Sequence, residues 1–105
     1  MKKIAVSILA LTLISTAAIA ADAKAGQAAY DKSCKGCHGA AGSPNPAVAK
    51  MLSANIPELG SAPVQSQTDA DLAKVIAEGK GKMKPIKTLI GPPEDVVAFL
   101  RTLKK

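Results

Sequence analysis

The sequence predicts an all-α domain, on three observations. Apolar residues recur at three- and four-residue spacing in several stretches. Val, Ile and Thr are scattered and never alternate over a strand length. The segments between are rich in Gly, Pro, Ser and Asn, which is loop chemistry. At 105 residues the chain has room for one domain.

The first twenty residues read as a separate segment. Lys2 and Lys3 precede an apolar run from Ile4 to Ile14, and Ala18-Ile19-Ala20 has the A-x-A form that a signal peptidase cleaves. Residues 1–20 are therefore expected to be a cleaved secretory signal and residues 21–105 the mature domain, delivered to the periplasm. An uncleaved anchor is the competing reading, since Ile4 to Ala21 runs without a charge. Thr12, Ser15, Thr16 and the alanine-rich end make that anchor a weak one.

Within the domain, the first helix is expected from about Ala23 to Lys35, with Asp22 as N-cap and Gly26 and Tyr30 on one face, ending in a turn around Gly36. Gly39 to Pro46 reads as loop, followed by a short helix from about Ala47 to Ser53; Asn55 to Gln67, with Pro57, Gly60 and Pro63, reads as loop again. Thr68-x-x-Asp71 has the form of a capping box and opens a helix that buries Leu72, Val75 and Ile76 and stops at Gly79. The last helix starts near Pro93 and buries Val96, Phe99, Leu100 and Leu103 at i, i+3, i+4, i+7. Lys104 and Lys105 suit its negative end.

These helices have little to bury. Residues 21–105 hold 36 hydrophobic residues, of which 15 are alanine, and only Tyr30 and Phe99 are aromatic. So small a core usually needs a disulfide, a metal, a cofactor or a partner. The mature segment carries twelve basic and eight acidic side chains, a net charge of +4. With no basic run of five and almost no aromatic side chain to stack on bases, nucleic-acid binding has no support.

Cys34-Lys35-Gly36-Cys37-His38 gathers both cysteines and the only histidine of the chain. This C-x-x-C-H string is the attachment signature of c-type haem. Two thiols three positions apart on a helical turn lie on one side, where they can add to the two vinyl groups of a porphyrin edge, and the histidine that follows is held beneath the iron. A thioredoxin-like pair would need a preceding strand, a structural zinc site a fourth ligand, and a Cys34–Cys37 disulfide would close too small a loop to stabilise much. The expected cofactor is one haem c, covalent through two thioethers. An iron that only passes electrons needs a sixth ligand, and methionine is the usual partner of histidine. Met83, in the Gly- and Pro-bearing stretch Gly79 to Pro85, is assigned that role. Met51 is the other candidate, but on a short helix beside Leu52 it reads as a core filler; a lysine and an open position are the remaining alternatives.

With these residues in place the chain resembles the class I cytochromes c. Gly26 and Tyr30 match the glycine and aromatic of that family's N-terminal helix; Asp95 to Leu100 is similar to its C-terminal helix; and Met83-Lys84-Pro85 resembles the methionine loop of small bacterial members. The resemblance implies a cytochrome c fold, three to four helices around one covalently attached haem, with the C-terminal aromatic crossing the first helix near the glycine. It also implies a proline carbonyl that accepts the proximal histidine N–H, for which Pro44, Pro46 and Pro57 are all open. The family's tryptophan or tyrosine near a haem propionate has no evident counterpart.

The function expected is that of a periplasmic single-electron carrier, not an enzyme, with Cys34 and Cys37 holding the ring and His38 and Met83 the metal. The alternative is a haem protein with a detachable distal ligand, acting as a ligand sensor or weak peroxidase. A haem-free metal-handling C-x-x-C protein is a third reading. Partners are expected to be other redox proteins with acidic docking surfaces, met by a monomer with no nucleic acid and no stable membrane insertion after cleavage. Lys80, Lys82, Lys84 and Lys87 would form the positive rim that steers them; a merely solvated loop is the competing account.

Overall fold

Asp22 has extended backbone and its carboxylate accepts the N–H groups of Lys24 and Ala25, so the chain enters its first helix, α1 (Ala23–Ser33), with two of the orphan donors satisfied. The computed structural model describes residues 21–105. The expected signal segment, 1–20, lies outside the described residues.

Helix α1 is shorter than its composition suggests. At Cys34 the backbone turns to φ −118°, ψ −33°, and a separate turn, α2 (Lys35–His38), begins there and runs through Gly36. A loop leads to α3 (Pro46–Leu52), where Asn45 caps and Pro46 occupies the first turn. The expected loop over residues 55–67 is interrupted by one helical turn, α4 (Ala62–Gln65), which buries Val64. Helix α5 (Asp69–Glu78) opens on Thr68, whose hydroxyl accepts the Asp71 N–H at 3.1 Å, and closes on Gly79. The last helix, α6 (Pro93–Thr102), starts after Pro92 and buries Val96, Val97, Phe99 and Leu100. Leu103, expected inside, is only partly buried beyond the end of α6. Among the described residues there is no strand; Lys80 and Met83 form an isolated two-residue bridge.

The frame of the molecule is the crossing of α1 and α6, to which α5 adds a second contact with α6. Gly26 sits at the closest approach, where a Cβ would run into the backbone carbonyl of Asp95. Only glycine lets the two backbones come that near. One turn on, the rings of Tyr30 and Phe99 meet at 5.0 Å between centroids and 56° between planes, a tilted geometry that suits the aromatic quadrupoles. The Asp22 N–H also donates to the Asp95 carboxylate at 2.9 Å, tying the two helix starts together. At the far end Arg101, the only arginine, donates to the carbonyls of Gln65 and Gln67 and to Asp69, which clamps α6 onto the start of α5.

Candidate functional site

Cys34 belongs to both of the helical pieces it joins. Its N–H still donates to the Tyr30 carbonyl at 2.8 Å, while its own carbonyl accepts the N–H groups of Cys37 (3.2 Å) and His38 (3.0 Å). That single turn puts Cys34, Cys37 and His38 on the lining of one cavity. Asn45 holds the turn in place, with its N–H on the Cys37 carbonyl at 3.0 Å and its side-chain amide on the Gly36 carbonyl at 3.4 Å.

The cavity has a volume of about 830 Å³, in the range of cofactor sites, and its walls are mainly apolar: Leu52, Ile56, Leu72, Val75, Ile76 and Ile86 contribute. Met83 lines it too. The Met83 loop is shaped by the chain around it. Lys80 and Met83 exchange two backbone hydrogen bonds, of 2.9 and 3.0 Å, and the Ile86 N–H donates to the Ile76 carbonyl at 3.0 Å, pinning the loop to α5. Gly79 makes this possible: it has φ +78°, and a Cβ there would press on the Met83 carbonyl and the Pro85 ring. On the solvent side the Lys82 ammonium donates to the Leu52 carbonyl at 2.7 Å.

Burial favours the neutral forms of Cys34 and His38. Cys34 is 7% exposed, and burial, helped by the neighbouring Cys37, pushes its thiol up to about 11. The two cysteines are not joined in a disulfide. Burial lowers the His38 pKa, which favours the neutral imidazole with a free lone pair. Its Nδ1 is buried and has no hydrogen-bond partner, so the proline carbonyl expected to accept from it, at Pro44, Pro46 or Pro57, does not do so; of the three only Pro57 lines the cavity. Two thiols, a neutral imidazole with an orphaned nitrogen and a thioether around one large apolar space are a donor set that fits a haem.

The family model described as "Cytochrome C oxidase, cbb3-type, subunit III" matches residues 21–100. The chain belongs to this family of c-type cytochromes. Among solved structures this cytochrome is similar to one described as "KustC0563 c-type cytochrome", at 32% identity, with 76% of this chain and 98% of that chain covered and a TM-score of 0.59. No curated protein matches the sequence. Membership implies a covalently bound haem c and haem-based electron transfer.

The structure also corrects the reading of Met51 in this cytochrome and adds several residues. Met51 is 75% exposed and does not line the cavity, so it is not a core filler: the α3 stripe turns Leu52 inward and leaves Met51 in solvent. The hydroxyl of Tyr30, the only tyrosine, donates to the Gly39 carbonyl at 2.5 Å. Asn45 was legible, since an Asn-Pro pair is a helix start. The turn α4 had a weaker signal, Ser61 followed by Pro63 two residues later, and Val64 on it lines the cavity. No sequence signal foretells the Lys82–Leu52 hydrogen bond, which spans thirty residues. No helix among the described residues is long and apolar enough to cross a membrane.

Proposed function

We propose that this cytochrome is a single-electron carrier that works outside the cytoplasm, in the periplasm, and converts no substrate. The observation that carries the proposal is the convergence of Cys34, Cys37, His38 and Met83 on one apolar cavity. One haem c, when bound, would supply a one-electron iron couple. Cys34 and Cys37 would hold it through two thioethers; His38 and Met83 would hold its metal. The apolar walls exclude water, and a loop braced by Gly79 and the Lys80–Met83 pair keeps the thioether from wandering. Because neither protein ligand needs to leave, reorganisation on electron transfer stays small.

The partners proposed are redox proteins with acidic docking surfaces. The segments that frame the cavity, residues 33–57 and 79–93, contain Lys35, Lys50, Lys80, Lys82, Lys84 and Lys87 and no acidic residue. All six lysines are exposed. Residues 1–20, as a secretory signal, would deliver the chain to the compartment in which haem is attached and those partners are met.

The test is the absorption spectrum of the mature protein and of Met83→Ala in both oxidation states, with a pyridine haemochrome. One covalent haem per chain is expected, with a sulfur-to-iron charge-transfer band present in the wild type and lost in the variant. Absence of covalent haem would sink the reading; rapid stoichiometric carbon monoxide binding by the reduced wild type would replace the carrier by a ligand-binding protein. Exchange with a purified acidic partner should slow as salt rises.

A further inference from the structure

Among the described residues the Met83 loop is tied by backbone hydrogen bonds only to itself and to α5: Gly79 N–H to Val75, Lys80 with Met83, and Ile86 N–H to Ile76. Across the cavity lies the stretch that follows α3. Among the described residues one hydrogen bond joins the two segments, from Lys82 Nζ to the Leu52 carbonyl, 2.7 Å long. We propose that Lys82 is a positioning residue, a clasp that holds the methionine-bearing loop closed against the C-terminus of α3. The proposal rests on the reading of Met83 as a ligand and adds to it the group that keeps Met83 in place.

The chemistry of the two ends favours the contact. Leu52 is the last residue of α3, so its carbonyl is among those that no helical N–H can reach. An ammonium at the negative end of a helix is favourable, and a charge-assisted hydrogen bond is stronger than a neutral one. Lys82 precedes Met83 directly, so restraint of one restrains the backbone of the other. Lys82, Met83 and Leu52 all line the cavity, Lys82 exposed and Met83 only partly so, which places the clasp at the exposed rim of the space that Met83 borders. The bond competes with water, so it governs how often the loop opens and leaves the fold alone. Lys82 is thereby distinguished from Lys84, which has the same charge on the same loop and makes no hydrogen bond to α3.

The experiment compares holo wild type with Lys82→Ala, Lys84→Ala and Lys82→Arg by two measurements. The first is amide hydrogen exchange at Lys80 and Met83. The second is the affinity of the ferric protein for imidazole, which competes with the methionine, together with the pH at which the sulfur-to-iron band disappears. Lys82→Ala should exchange these amides and bind imidazole about three- to tenfold more readily and lose the band at lower pH. Lys84→Ala should match the wild type, and Lys82→Arg, which keeps a cationic donor, should recover most of the difference. Equal exchange in Lys82→Ala and Lys84→Ala overturns the clasp. A wild type with no sulfur-to-iron band at neutral pH overturns the Met83 ligand instead, and amide exchange still judges the clasp.

Discussion

Glu58 is a small example of how single side chains hold the loops of this cytochrome. Its carboxylate accepts the Lys105 ammonium at 2.9 Å and the Ser43 hydroxyl at 2.8 Å, which fastens the C-terminus and the loop after α2 to one point. The Lys105 and Ser43 hydrogen bonds hold its pKa below the usual 4.5. A depressed carboxyl means that the unfolded chain takes up the proton first, so the contribution is intact above about pH 4.5 and is lost as pH falls through the lower folded value. The thermal midpoint of Glu58→Gln should accordingly fall less steeply below pH 4.5 than that of the wild type; parallel curves would remove Glu58 from the acid response. Tyr30 works in the opposite range. Burial, first of all, raises its phenol to about 12, so its hydroxyl remains a donor to Gly39 well past the pH where an exposed tyrosine ionises. The attachment motif was fully legible at this scale, because Cys34, Cys37 and His38 are neighbours in the chain and need no fold to be recognised. The glycines and proline around Met83 signalled a loop there, and that loop brings Met83 to the cavity lining. Lys82 was read only as surface charge, because its partner carbonyl is brought to it by the fold.

Among the elements, the helices announced themselves through their ends. Asp22, Thr68, Gly79 and Pro93 all stand where the structure starts or stops a helix. Caps act within one turn, so they survive in any tertiary setting. The failures have an equally local origin. The sequence from Gln27 to Lys35 has no breaker, yet the helix stops at Ser33, where the Cys34 backbone, at φ −118°, leaves one helical piece and starts the next. Likewise Pro63 looks like loop until its place in the first turn of α4 is seen. The crossing of α1 and α6 makes the strongest demand on sequence. Gly26→Ala would force a methyl into the Asp95 carbonyl, and since both sides are backbone neither can yield by changing rotamer. A loss of about 2–4 kcal/mol in denaturant unfolding of the holo protein is expected. A loss below about 0.5 kcal/mol, the range of an ordinary surface change, would mean that the helices do not touch there.

At the scale of the molecule, the buried side chains have two different tasks. Ala29, Tyr30, Val96 and Phe99 close the crossing of the terminal helices. Leu59, Val64, Leu72 and Ile76 border the cavity, and Tyr30 serves both places. An apolar cavity of about 830 Å³ is more than these small side chains can close by themselves, so a cofactor bound there would complete the second half of the core with its flat apolar mass. The chain without haem should therefore show little helix by circular dichroism and no cooperative thermal transition, whereas the holo protein shows both. A haem-free Cys34→Ala/Cys37→Ala chain that melts cooperatively near the holo midpoint would disprove this dependence.

By itself the sequence determined the all-α class, most of the helix ends and the C-x-x-C-H string, all of which arise within a few neighbouring residues. Tertiary structure alone decided that Met51 faces solvent, that α4 completes the cavity wall with Val64, that His38 Nδ1 finds no proline carbonyl, and that Lys82 reaches Leu52. Those outcomes depend on where separate segments of the chain come to rest. That placement follows from packing about Gly26, Tyr30 and Phe99, and no local pattern encodes it.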